Sequence, residues 1–259
     1  MKYILKASSL AIGYSGKTIA SKIDLALPPG TLVSVVGANG IGKSTLLRTI
    51  CGLQPALSGQ IDIFEKRIET YSPAALARQV ALVLTEKPAS STLLVRELVA
   101  LGRQPYTDWI GRMTDEDRVI VQRALEQTSI VELSDKRIGK LSDGQLQKAL
   151  VARALAQDTP LILLDEPSTH LDLMNKLSLL RLLRNLATGG KCVVFSTHDI
   201  ESAIGISDLM IVMNGRSVHF GTPAKLVEEG IFQTLVPESE IIFDPNSVKF
   251  ILKGLQQGG

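Results

Sequence analysis

Apolar and polar positions along the chain change their period several times, and each change marks an element. Short apolar, β-branched runs at 31–36, 79–84, 160–164, 191–196 and 209–213 read as strands, with helix-like segments between them. That alternation predicts an α/β fold with a mostly parallel sheet covered by helices. The first 30 residues differ: Ile23, Leu25 and Leu27 alternate with Lys22, Asp24 and Ala26. An antiparallel strand pair with one buried face is expected there, forming a β layer beside the main sheet.

From about 88 to 157 no strand pattern appears and helical spacing takes over. Thr114-Asp115-Glu116-Asp117 reads as an N-cap with acids in the first turn, ahead of apolar Ile120, Val121, Ala124 and Leu125. Leu146, Leu150, Ala154 and Leu155 repeat the spacing after the turn at Leu141-Ser142-Asp143-Gly144. A helical insertion within the α/β unit is therefore expected. No internal repeat is visible, and the terminal Gln256-Gln257-Gly258-Gly259 is expected to fray.

Composition narrows the function classes. At 259 residues, 45% hydrophobic and 21% charged, the chain is suited to one large α/β unit with a buried core. Twenty-eight basic against 26 acidic residues leave a formal charge of +2, and aromatic residues make up 4%. Neither a strong field nor a base-stacking platform is present, so nucleic acid is not an expected partner. The apolar runs are strand-sized, far below the roughly 20 residues that span a bilayer. Lys6 and the following serines make the N-terminus a first strand rather than a signal peptide. Cys51 and Cys192 form no CxxC or Cys/His spacing, which reads as two reduced core thiols in a cytosolic setting.

The segment Gly37-Ala38-Asn39-Gly40-Ile41-Gly42-Lys43-Ser44-Thr45 follows a predicted strand and fits G-x-x-x-x-G-K-[ST]. Its glycines let successive backbone N–H groups turn toward a phosphate, and a helix starting near Lys43 adds its positive end. Lys43 is then expected on the β/γ-phosphates and Ser44 on Mg²⁺. The strand ending in Asp165 and Glu166 supplies two carboxylates, one to hold the metal and one to polarise water. His198 follows another predicted strand, where a parallel sheet presents its edge to ligand. Alone, such a histidine would more often cap a helix or pack against neighbours.

The order of P-loop, Leu141-Ser142-Asp143-Gly144-Gln145, the Leu-Leu-Asp-Glu-Pro ending at 167, Thr169-His170-Leu171-Asp172 and Ser196-Thr197-His198 resembles the ATPase subunit of an ABC transporter, over residues 1 to about 225. The resemblance implies a P-loop NTPase core, with the β layer and the P-loop part of the core at 1–87, a helical subdomain with the signature segment at 88–157, the rest of the core at 158–225 and a C-terminal extension at 226–259. It implies ATP and Mg²⁺ as ligands, Tyr14 stacking on adenine, Asp165 on the metal, Glu166 as general base and His198 on the γ-phosphate. By the same likeness two copies pair head to tail, with Ser142, Gly144 and Gln145 of one facing the P-loop of the other and Asp172 passing signals between them. Permease subunits and, indirectly, a substrate-binding protein would complete an assembly on the cytoplasmic face of the cell membrane.

Leu98-Val99-Ala100-Leu101-Gly102-Arg103-Gln104-Pro105-Tyr106 and Trp109-Ile110-Gly111-Arg112 resemble the importer branch for iron–siderophore, haem and cobalamin. An exporter ATPase or a soluble assembly ATPase shares the nucleotide motifs and is the alternative. Two positions depart from the family: Thr85 stands where a glutamine is usual, whose role falls either to the Thr85 hydroxyl or to the adjacent Glu86, otherwise a solvated surface acid, and Asp143 replaces a signature glycine.

Overall fold

The computed structural model describes residues 2–84, 91–169, 171–215 and 217–253. Thr85, Glu86, His170 and the terminal 256–259 lie outside the described residues. The chain opens with β1 (Leu5–Tyr14), β2 (Lys17–Leu27), β3 (Leu32–Gly37) and α1 (Lys43–Ile50). Next come β4 (Ser58–Ile63), β5 (Lys66–Arg67), α2 (Pro73–Ala77) and β6 (Val80–Val83). The helical stretch contains α3 (Val95–Ala100), a 3-10 helix at Leu101–Tyr106, α4 (Asp115–Gln127) and α5 (Asp143–Ala156). It is followed by β7 (Leu161–Leu164), α6 (Leu173–Thr188), β8 (Cys192–Thr197), α7 (Ile200–Ile206) and β9 (Leu209–Asn214). The chain then adds β10 (Ser217–Gly221), α8 (Pro223–Glu228) and a hairpin of β11 (Ile241–Asp244) and β12 (Lys249–Leu252).

Six strands form the main sheet in the order β10-β9-β3-β8-β7-β6, parallel except for the β10 edge. The five strands expected from apolar runs are β3 and β6 to β9. Most of their residues divide between two cores with period 2: Leu32, Ile162, Leu164, Val193 and Phe195 face the helical layer, while Val33, Leu161, Leu163, Val194 and Ile211 face the N-terminal β layer. Burial on both faces is what keeps charged residues out of these strands.

The N-terminal layer is antiparallel, with order β2-β1-β4-β5. In β2, Ile23, Leu25 and Leu27 are buried while Lys22 and Asp24 are exposed, as the alternation predicted. Strands β4 and β5 are an addition to the expected pair. Only Ile61 and Ile63 of β4 are fully buried, so its sequence carries little apolar signal. A third core joins Val36 and Met210 to Phe232 and Phe243 beyond residue 225. There the Phe243 ring lies 5.2 Å from Phe232 and 5.1 Å from Phe250, so this stretch is packed onto the sheet.

Candidate functional site

Sheet register brings the candidate residues to one edge. Val35 and Val36 of β3 pair with Ser196 and Thr197 of β8, and Leu164 of β7 pairs with Phe195. The segments that leave β3, β7 and β8 at their C-terminal ends therefore emerge side by side, where open α/β sheets bind ligands.

The loop after β3 turns into α1 at Gly42, whose φ of 115° lies in the left-handed region. A Cβ there would sit 2.4 Å from Ile19 Cγ2, so glycine is required by both conformation and space. Neither a side-chain cap nor a first-turn acid occupies the start of α1, which leaves its N–H groups facing an anion site. Lys43 is only 4% exposed; its Nζ donates to Gly37 O at 2.9 Å and Ala38 O at 3.1 Å, and lies 3.5 Å from Glu166 Oε1. Ala38, Asn39 and Gly40 form an exposed rim, whereas Ile41 packs toward the β-layer core and Thr45 is buried.

Asp165 is almost completely buried, and its Oδ1 accepts a 2.7 Å hydrogen bond from Ser196 Oγ. The same hydroxyl accepts from the Glu166 N–H at 2.8 Å. Glu166 itself has φ of 46°, a left-handed conformation unusual for a side chain of this kind. Its Oε2 accepts from Thr169 Oγ1 at 3.1 Å and lies 3.7 Å from His198 Nδ1. Among the residues around this carboxylate, sequence reading had not singled out Thr169 for a role, nor Ser196 as the link between the two acids. A hydroxyl residue at the last turn of a buried strand was the available signal for Ser196.

A cavity of about 910 Å³ joins these groups to the β layer through Tyr14, Lys17, Thr18, Lys43, Ser44 and Glu166. Tyr14 is 53% exposed, and its hydroxyl lies 3.3 Å from Thr45 Oγ1. An exposed ring at the mouth of a cavity lined by the loop of 40–45 can stack on a planar base. No cluster of three or more His, Cys, Asp or Glu able to hold a metal exists among the described residues. A cation at this edge would instead need phosphate oxygens together with the Asp165 carboxylate and Ser44 hydroxyl, a donor set that suits Mg²⁺.

Ser142, Gly144 and Gln145 are not brought to the P-loop of their own chain. Ser142 caps α5 in a reciprocal box with Gln145, and the three residues line a separate polar cavity of about 310 Å³ with Lys148 and Asn175. Asp143 occupies the first turn of α5, where the helix dipole favours a negative charge. Asp172 is exposed and caps α6; the Asn175 N–H and amide hold its carboxyl below the usual carboxylate range. A Cβ on Gly144 would approach Leu171 Cδ2 at 3.1 Å, so the α5 start and the segment entering α6 are close neighbours.

A phosphate-facing loop after the central strand, paired carboxylates on a nearby strand and a helical layer on one face define a P-loop nucleoside triphosphatase. The chain belongs to the ABC transporter family: the family described as "ABC transporter" matches residues 20–169. As a member it binds ATP and is an ATPase. It is 35% identical to the achromobactin transport ATP-binding protein of Dickeya dadantii, over 93% of this chain and 91% of that protein. It is 36% identical to the iron(3+)-hydroxamate import ATP-binding protein of Bacillus subtilis, over 95% of this chain and 92% of the relative. A solved metal-chelate type ABC transporter in an inward-facing conformation matches with a TM-score of 0.79 and 27% identity, over 90% of this chain and 88% of that chain. No described helix is long and apolar enough to cross a membrane.

Proposed function

We propose that this chain powers a membrane importer of iron–siderophore complexes or a related chelate such as haem or cobalamin, acting as a head-to-tail pair. The observation that carries the reading is the gathering of Lys43, Asp165, Glu166 and His198 at one sheet edge while 142–145 stay in a separate cavity. A nucleotide on the first surface would be completed by the second surface of another copy. Relatives named for achromobactin, iron(3+)-hydroxamate and ferric enterobactin transport support the cargo class.

In this reading the loop N–H groups of 37–45 and Lys43 hold the β- and γ-phosphates, and Tyr14 stacks on adenine. Ser44 and Asp165 hold Mg²⁺, which offsets phosphate charge. Glu166 takes a proton from water as the water oxygen bonds to the γ-phosphorus; the bond to the β–γ bridging oxygen breaks and ADP leaves with the electron pair. His198 contacts the γ-phosphate with Nδ1 turned toward Glu166. Ser142, Gly144 and Gln145 of the partner copy close over the phosphate, and Asp172 reports its presence across the pair.

The permease seat is an apolar groove of about 660 Å³ beyond α1, lined by residues including Leu53, Pro55, Ile68, Tyr71, Leu76 and Leu82. Leu53 is 67% exposed there, which favours a partner that covers it. The binding protein acts through that permease, and the subunit lies peripherally on the cytoplasmic face of the cell membrane.

The test is ATPase activity after purification from detergent-solubilised membranes and reconstitution with the co-purified permease. Iron-chelate-loaded binding protein should stimulate hydrolysis. Lys43→Ala and Ser142→Arg should each be inactive, and a mixture should regain part of the activity because one composite site per heterodimer is intact. A purely soluble complex without a membrane partner rejects transport, and no recovery on mixing rejects the shared site.

A further inference from the structure

The run from Leu101 to Tyr106 takes no part in the nucleotide site; Gly102 and Arg103 bind it into the helical layer, and Pro105 and Tyr106 meet α2 of the sheet-bearing core. Gly102 lies against the end of α5, where a Cβ would come 2.2 Å from Arg153 O. Arg103 is buried; its Nε donates to Asp117 Oδ1 at 2.8 Å and its guanidinium to Ala156 O at 2.9 Å. The 3-10 helix, the start of α4 and the end of α5 are thereby pinned into one body.

A weaker contact joins that body to α2. Arg78, the C-cap residue of α2, donates from Nε to Pro105 O at 2.8 Å. Its guanidinium lies 5.2 Å from the centre of the Tyr106 ring, and the Arg103 guanidinium lies 3.9 Å from the same ring. Beside it, Gln157 Nε2 donates to Ala77 O at 2.6 Å and Val80 O at 2.9 Å. Arg78 is exposed, unlike Arg103. One exposed hydrogen bond with one cation–π contact is worth about tenfold in an equilibrium, so it can be released and remade.

We propose that Arg78 and Tyr106 are positioning residues that set the angle at which the helical body presents Ser142 to the partner copy's phosphate site. The inference rests on the head-to-tail reading above. Helix α5 is the lever: its 14 residues place the Ser142 cap about 21 Å from the Ala156 end, so a rotation of about 5° at the joint moves Ser142 by about 2 Å. Displacements of that size decide whether a phosphate contact forms. Leu76 and Ala77 line the apolar groove immediately before Arg78, so whatever fills the groove bears directly on the catch.

The experiment measures the joint and its consequence separately. Spin labels on Lys6→Cys in the β layer and Arg123→Cys in α4 report the distance between core and helical body; the native Cys51 and Cys192 are buried and leave labelling to the introduced pair. Arg78→Met and Tyr106→Ala should broaden the distance distribution, while Arg78→Lys, which keeps a cation over the ring, should leave it narrow. In a Glu166→Gln background, Arg78→Met should raise the ATP concentration needed for dimerisation about tenfold while nucleotide affinity of the monomer stays within about twofold. An unchanged distance distribution in both Arg78→Met and Tyr106→Ala overturns the catch, whether or not ATP drives dimerisation. A broadened distribution with an unchanged dimerisation midpoint overturns its role in presenting Ser142. Failure of the Glu166→Gln parent to dimerise overturns the head-to-tail reading itself, and with it the presentation of Ser142.

Discussion

Replacing Arg103 with Ala tests the packing of the helical body quantitatively. Arg103 is 5% exposed and Asp117 is 3% exposed, so the substitution leaves a carboxylate out of water with Thr114 as its remaining donor among the described residues. It also strips Ala156 O of a partner and Tyr106 of its nearer cation. Breaking a buried ion pair from one side costs about 3–5 kcal/mol. At about 2–4 °C per kcal/mol for a chain of this size, the expected fall in Tm is about 6–20 °C. Burial opposes ionisation of Asp117, but hydrogen bonds from Thr114 and Arg103 outweigh it and hold the carboxyl below its usual range. A depressed carboxyl stabilises the fold above its unfolded pKa, and that contribution disappears as pH falls through the folded one. Without Arg103 the carboxyl is destabilised only while charged, so the deficit in Tm should be largest near neutrality and narrow toward about pH 4. Arg103→Met with Asp117→Asn removes both charges, keeps an acceptor for Thr114 and should recover most of the loss. Calorimetry at several pH values is the assay. A fall in Tm under about 2 °C, or a deficit that grows on acidification, would refute the reasoning.

Other outcomes follow from single contacts. Gly102→Ala forces a methyl against Arg153 O, should cost about 1–3 kcal/mol in thermal denaturation, and should leave nucleotide affinity of the monomer unchanged; unchanged Tm would show that the joint yields freely. Glu166→Gln keeps the position of the side chain but removes its basicity, so ATP should bind, hydrolysis should stop and an ATP-dependent dimer should appear by size exclusion. Hydrolysis near the wild-type rate would remove Glu166 as the base. Burial pushes the Cys192 thiol up to about 12, so it should resist alkylation at pH 8 in the folded chain and react after denaturation. Rapid modification of Cys192 in the native protein would contradict the buried β8 placement.

What could be read from sequence tracks how local its cause is. Strands β3 and β6 to β9 were legible because both faces are buried, and the start of α1 was legible because glycines and Lys43 are adjacent in the chain. The Thr114 cap was equally plain, but the acids after it carried a false simplicity. Asp117 reads as a dipole-favoured residue on the helix surface, whereas its carboxylate is buried against Arg103. Helical spacing cannot show that pairing, because the partner sits in a 3-10 segment before the cap. Strand β4 and the C-terminal hairpin were missed for a related reason: each lies at a periphery, where few positions are fully buried and the apolar period is faint.

The two carboxylates after β7 show how much of a site depends on geometry that a motif leaves unstated. Successive side chains of an extended strand point to opposite faces, so an uninterrupted strand would send Asp165 and Glu166 apart. Rotation of Glu166 to φ of 46° breaks that alternation and brings its carboxylate within 3.5 Å of Lys43 Nζ. A left-handed non-glycine residue persists only where its surroundings hold it. Here the Ser196 hydroxyl anchors the Glu166 N–H while donating to Asp165, and Thr169 holds the Glu166 carboxylate. One hydroxyl on the neighbouring strand thus fixes the backbone of the proposed base and the side chain of the proposed metal ligand together. The spacing between the proposed base and the proposed metal ligand is consequently a property of how β7 lies beside β8, set before any nucleotide arrives.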